Sequence, residues 1–186
     1  MQEIIRDAIE SKRITMLPGQ FQEVPSWDIF YKIFSHAAER GGFASKTFGT
    51  FGVDGAESIV DDFNKIISVA ENSHPLEAKS VLAIVHFLSA NNNNIPEEVS
   101  NLYSEFRKIA EQIPPSFEQY MIPTRHSDPV DGLYVQCTGS ARWTAYYEGG
   151  NESFIVLPGD AMFIPKGIEH TVETLEPRAA ISIGLA

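Results

Sequence analysis

The stretch Gly159-Asp160-Ala161-Met162-Phe163-Ile164-Pro165-Lys166-Gly167-Ile168-Glu169-His170 decides the fold. Met162 to Ile164 is a short apolar run of strand character, with Pro158-Gly159-Asp160 before it and Pro165-Lys166-Gly167 after it. Each tripeptide combines proline's fixed φ with glycine's freedom, so each predicts a tight turn. The second turn delivers His170 to the start of another strand. Working outward, Leu133 to Thr138, Trp143 to Tyr147, Phe154 to Leu157 and Ala179 to Ile183 are further short runs of β-branched and aromatic residues, with Gly149-Gly150-Asn151 as a hairpin turn. Strands this short and this closely joined predict an antiparallel sandwich or small barrel.

Earlier in the chain the period changes. Across residues 27 to 113 the apolar positions recur at helical spacing. Ile59, Phe63, Ile66, Ile67 and Ala70 make one stripe, and Val99, Leu102, Tyr103, Phe106, Ile109 and Ile113 another. Pro96 followed by Glu97 and Glu98 suits a helix start, and Pro114-Pro115 a stop. The apolar run from Val81 to Leu88 is read as part of this helical region, with His86 a satisfied core histidine. Residues 43 to 53 read as short strands. The fold class is therefore α+β, a single domain over 1–186. Residues 1–115 are its mainly helical part with a few short strands, and 116–186 its barrel core.

Chemistry concentrates in the β-rich part. His126 and Asp128 flank Ser127, and residues i and i+2 of a strand share a face, so an imidazole and a carboxylate project together. His170 follows 44 residues later. If the barrel joins these strands, two imidazoles and one carboxylate converge. Such a facial triad leaves coordination positions open and suits Fe(II).

From Gly159 to His170 the chain resembles the second motif of the cupin family, which asks for Gly, five residues, Pro, one residue, Gly, two residues and His. The motif's closing Asn is Thr174 here. The first motif is partial: His126 and Gly139 are in place, Asp128 replaces the second His, Gly132 the Glu, and Tyr120 the opening Gly. His-x-Asp in place of His-x-His is similar to the Jumonji-C and cupin-like oxygenases, as are Val135-Gln136, Arg142-Trp143 and Ile181 to Leu185. The resemblance covers residues 116 to 186. It implies a double-stranded β-helix, a jelly-roll barrel against which the helical part packs, and a metal held inside it by His126, Asp128 and His170. It also implies Fe(II) or another divalent metal, 2-oxoglutarate as cosubstrate, and oxygenase chemistry of the dioxygenase type.

The family commonly holds the distal carboxylate of 2-oxoglutarate with a Lys or Arg near position 141, which is Ala141 here. Arg142 would substitute only if a bulge turned it inward, and Arg178 on the last strand is the second candidate. Gln136, Tyr134 and Trp143 have family counterparts near the cavity, with Trp143 read first as packing. The alternatives to an oxygenase are a metal-binding cupin without 2-oxoglutarate chemistry, either a cofactor-free dioxygenase or isomerase, and a non-catalytic protein that binds a small ligand. Cys137 is read as a small buried hydrophobe. His36 and His74 read as helix-surface or cap residues, and Asp61-Asp62 as a solvated helix face.

Composition bounds the partners. The chain has 186 residues, 43% hydrophobic, with 25 acidic against 14 basic residues and a formal charge of −11. That surface repels phosphate backbones and anionic lipid, so neither nucleic acid nor membrane is an expected partner. No apolar run reaches the ~18–20 residues of a membrane span, no secretory signal is apparent, and one cysteine fits a reducing, cytoplasmic setting. The chain stops at Ala186, after the last expected strand. Family members acting on proteins often continue into a further domain, which tilts the expectation towards a small-molecule or peptide substrate. A homodimer is left open.

Overall fold

The computed structural model describes residues 2–40, 44–47, 49–56, 62–73, 77–87, 97–113 and 125–186. The elements run α1 (Gln2–Ser11), β1 (Thr15–Leu17), α2 (Trp27–Glu39), β2 (Ala44–Thr47), β3 (Thr50–Asp54), α3 (Asp62–Ser73), β4 (Ala78–His86), α4 (Glu97–Gln112), β5 (Asp131–Thr138), β6 (Ala141–Tyr147), β7 (Gly150–Val156), β8 (Ala161–Ile164), β9 (Glu169–Thr174) and β10 (Arg178–Leu185). The strands form a seven-stranded sheet in the order β1-β8-β5-β10-β4-β3-β2 and a three-stranded sheet in the order β7-β6-β9. Every pairing is antiparallel.

Side-chain alternation on the large sheet builds two cores. Val81, Ala83 and Val85, Leu133, Val135 and Cys137, and Ala179, Ile181 and Ile183 share one face with Phe30, Ile33, Phe34, Ile66, Ala70, Phe106 and Ile109 of the helices. Aromatic rings knit this core, with Phe34 5.2 Å from Phe106 and Phe87 5.1 Å from Tyr103, centroid to centroid. The opposite face meets the small sheet: Tyr134, Met162, Ile164 and Ala180 pack on Ala141, Trp143, Ala145 and Val156. This second core is the barrel interior, and all the candidate chemistry but the rim residues lies there.

Two glycines permit the close approaches that shape the barrel. Gly139 has φ +62, and a Cβ there would come within 2.1 Å of the Pro177 carbonyl oxygen, directly before Arg178. Gly159 has φ +90, and a Cβ there would lie 2.6 Å from the Phe21 carbonyl oxygen, whose residue donates its N–H to Gly159 O. Only glycine occupies such positions without displacing backbone.

The five barrel strands read from short apolar runs are all present, as are β2 and β3 within residues 43 to 53. The helical stripes are α3 and α4, with Ile66, Ala70, Phe106, Ile109 and Ile113 buried. Ile59, Asp61, His74, Leu88, Pro96, Pro114-Pro115 and Tyr120 lie outside the described residues, and His36 is half-buried on α2. The helical reading of Val81 to Leu88 is corrected: Ala78–His86 is a nine-residue strand lying between β10 and β3. An unbroken apolar run shows neither period clearly in the sequence, although the folded strand alternates buried odd positions with half-buried Leu82 and Ile84. Here the odd positions face the helices and Leu82, Ile84 and His86 the barrel side. Strands from before residue 116, β1 to β4, thus join the same seven-stranded sheet as β5, β8 and β10.

Candidate metal centre and buried cation

His170 is the second residue of β9, held there by the turn that precedes the strand. The Gly167 N–H donates to the Asp128 carbonyl at 2.9 Å and the Lys166 N–H to Asp131 Oδ1 at 2.7 Å, stitching the Pro165-Lys166-Gly167 turn to the segment carrying Asp128. His126 and His170 are antiparallel partners, exchanging N–H to carbonyl bonds of 3.0 and 2.8 Å. Their rings stand 4.4 Å apart. Beside them Arg125 pairs with Glu169, Nε to Oε2 3.0 Å, and lies 4.2 Å over the Tyr146 ring. One ligand atom from each of His126, Asp128 and His170 lies within 4.8 Å of the others. Sequence spacing had already singled out these three residues, and the fold does bring them together.

The donor set fits a divalent metal. His170 Nδ1 lies 3.0 Å from the Ile168 carbonyl, a contact that assigns the ring proton to Nδ1 and leaves the Nε2 lone pair facing Asp128. His170 Nε2 and Asp128 Oδ2 are 3.8 Å apart, too far for a hydrogen bond and within the spread of two ligands on one ion, each at about 2.1 Å. Burial holds the His170 pKa below its ordinary value, with neighbouring His126 acting the same way against the Ile168 carbonyl and Asp128. A neutral imidazole is the form that binds metal. The expectation of a centre wholly inside the barrel needs correction: His170 is 1% exposed, but Asp128 is 40% and His126 is open to solvent. The triad sits at the rim, with one ligand in the wall and one outside.

Behind His170 the interior continues as a stacked column. The Trp143 ring lies 4.9 Å from His170 at an interplanar angle of 26°, and Tyr134 4.8 Å from Trp143. The Tyr134 hydroxyl donates to Gln136 Oε1 at 2.5 Å and accepts from Arg178 Nη1 at 2.5 Å. Gln136 Nε2 donates to the Thr138 carbonyl at 2.6 Å, and Arg178 Nε to Thr174 Oγ1 at 3.0 Å. Tyr134, Gln136, Arg178 and Trp143 are thus all buried barrel residues. Arg178 is 4% exposed and, among the described residues, pairs with no carboxylate. A guanidinium removed from water without a counter-ion costs several kcal/mol, and an anion is what would offset that.

Arg142 does not reach this interior. β6 pairs in unbroken register with β7 and β9, so Ala141 faces inward, fully buried, and Arg142 outward. There it pairs with Glu173, Nη1 to Oε2 2.7 Å. The bulge that would have turned it is absent. His86, read as a satisfied core residue, is the partner of Arg178 across β4 and β10. It is buried, and burial together with the Arg178 charge pushes its pKa down to about 3. The signal that could have found it was the alternation of Leu82, Ile84 and His86 in a run taken for helix.

No family model matches the chain, and no curated protein matches it either. Solved structures do. The ribosomal oxygenase YcfD of Escherichia coli, in complex with cobalt and succinic acid, superposes with a TM-score of 0.66 at 14% identity over 97% of this chain and 51% of that one. The same enzyme with cobalt and 2-oxoglutarate gives 0.63 at 15% identity, over 97% and 51%. The chain spans about half the length of these structures. The likeness shows the fold alone: a double-stranded β-helix of antiparallel strands against which a helical part packs.

Proposed function

We propose that the chain is a metal- and 2-oxoglutarate-dependent oxygenase of the cupin type. His126, Asp128 and His170 hold the metal, Fe(II) or another divalent ion, and Arg178 anchors the cosubstrate. The observation carrying this reading is the buried Arg178, without a carboxylate partner among the described residues, in the same barrel as the triad and joined to it through Tyr134 and Trp143. YcfD, with its cobalt and 2-oxoglutarate complex, supports the same reading by analogy of fold.

When bound, ferrous iron with 2-oxoglutarate would supply the chemistry: dioxygen converts the cosubstrate to succinate and carbon dioxide and places one oxygen atom on the substrate. This chain's own residues supply position. The Ile168 carbonyl keeps the His170 proton on Nδ1, so Nε2 stays a ligand. Arg178 offers a planar fork to a carboxylate, Thr174 and Tyr134 fix its orientation, and Gln136 fixes Tyr134. Trp143, Ala145 and Val172 keep water from the wall behind His170. The open His126 side is where a small-molecule or peptide substrate would approach. Burial pushes the Cys137 thiol up and out of reactive range, so it takes no part.

The test is iron-dependent succinate formation from 2-oxoglutarate, with and without candidate substrates. The proposal expects succinate from the wild type and none from His170→Ala. A second reading, a metal-binding cupin without 2-oxoglutarate, is favoured by Ala141 at the position where the family commonly has a basic residue. Stoichiometric metal with no succinate under any condition would select it.

A further inference from the structure

We propose that His86 is the second half of the anion site at Arg178, and that it takes up a proton when a carboxylate ligand binds there. The inference rests on the reading of Arg178 as the cosubstrate anchor and adds to it a proton-linked affinity.

Geometry carries it. His86 and Arg178 are direct cross-strand partners on β4 and β10, so their side chains leave the sheet on the same face. Arg178 reaches Tyr134 and Thr174 within the barrel, which fixes that face as the inner one. His86 is 8% exposed, and among the described residues its ring makes no side-chain hydrogen bond. An imidazole beside a buried guanidinium that has no carboxylate partner among the described residues is a polar pair that an anion would complete. On its other side β3 offers Thr50, itself 5% exposed, as the cross-strand partner.

The charge environment makes the link directional. Around His86, β10 contributes Arg178, β5 contributes Tyr134, which stays neutral because burial raises its pKa, and β9 contributes the uncharged Thr174. On β3 the nearest acid is the exposed Asp54, across from Leu82 rather than His86. The only described charge bearing on His86 is therefore the Arg178 cation, and it joins burial in depressing the imidazole pKa to about 3. A carboxylate placed on Arg178 cancels that repulsion and offers His86 Nδ1–H or Nε2–H an acceptor, so the imidazole's affinity for a proton rises. By linkage the anion then binds more tightly as pH falls. If the liganded imidazole regains its ordinary value of about 6.5, affinity gains about tenfold from pH 7.5 to 5.5, and binding at pH 5.5 takes up close to one proton.

The experiment is calorimetry of 2-oxoglutarate binding to Mn(II)-loaded protein without oxygen, at pH 7.5, 6.5 and 5.5, each in two buffers of different ionisation enthalpy. Wild type should show proton uptake rising towards pH 5.5 and the roughly tenfold gain. His86→Gln keeps the shape and hydrogen-bonding character but cannot titrate, so it should lose both, whatever its affinity at pH 7.5. A titration of the wild-type imidazole 15N resonances with 2-oxoglutarate should show one ring other than those of His126 and His170 becoming protonated at pH 6. Equal proton uptake in wild type and His86→Gln would overturn the proposal, as would tight binding with no uptake. Both results would leave the Arg178 anchor standing. Undiminished binding to Arg178→Met would instead remove the anchor, and the His86 proposal with it.

Discussion

The two faces of the seven-stranded sheet are made by the same strands from alternate residues, yet they hold different kinds of chemistry. Towards the helices, Val85, Val135, Leu133 and Ala179 join an apolar core closed by Phe34, Phe51, Phe87 and Phe106. Towards the small sheet, their immediate neighbours His86, Gln136, Tyr134 and Arg178 are polar and buried. One face removes hydrocarbon from water and needs no partner. The other buries polar groups, among them the Arg178 guanidinium with no carboxylate partner among the described residues, a stability cost that a binding site explains and a scaffold does not. Stability and function in this protein are thus separated by a single step along each strand.

Four changes would break or sharpen that contrast. The largest effect is expected on the helical side: Phe106→Ala removes a fully buried ring that meets Trp27, Tyr31, Phe34 and Phe87, and should cost about 3–5 kcal/mol in denaturant unfolding. The metal affinity of the molecules that remain folded should be unchanged. His170→Ala reverses the pattern. It should weaken metal binding by at least about 100-fold, roughly 2.7 kcal/mol, while unfolding moves by only about 1–2 kcal/mol, and retained stoichiometric metal would refute the triad.

Acid should act through the inner face. His86 titrates near 3 when folded and near its ordinary 6.5 when unfolded, so the unfolded chain binds the proton first. Stability from this residue is complete above about pH 6.5 and falls as pH drops towards 3. The loss should be on the order of 2 kcal/mol between pH 6.5 and 5, and His86→Gln should flatten that slope. The smallest effect on folding is expected at the anchor: Arg178→Met should leave stability within about 1 kcal/mol of wild type or raise it, because it removes a buried cation that has no carboxylate partner among the described residues.

The barrel was legible because tight turns and β-branched runs are local signals, and the triad because Pro165, Gly167 and His170 carry a spacing that backbone geometry requires. What escaped was non-local. The strand character of Ala78–His86 depends on its pairing with β10 and β3, and an isolated apolar window cannot report that. Choosing between Arg142 and Arg178 needed the register of β6, which puts Ala141 inside and hands Arg142 to Glu173. The openness of His126 follows from how the chain before β5 meets β9, a relation between segments 44 residues apart.

The central claim is that metal and cosubstrate meet in this barrel, with Arg178 and not Arg142 as the anchor. An oxygen-free titration of Fe(II)-loaded protein with 2-oxoglutarate, read by the visible charge-transfer absorption of the chelate, tests it most directly. The account predicts a saturable band for wild type and Arg142→Ala, and for Arg178→Met an apparent affinity at least about tenfold weaker, roughly 1.4 kcal/mol. Iron bound without any band, or a band that Arg178→Met leaves untouched, would contradict it.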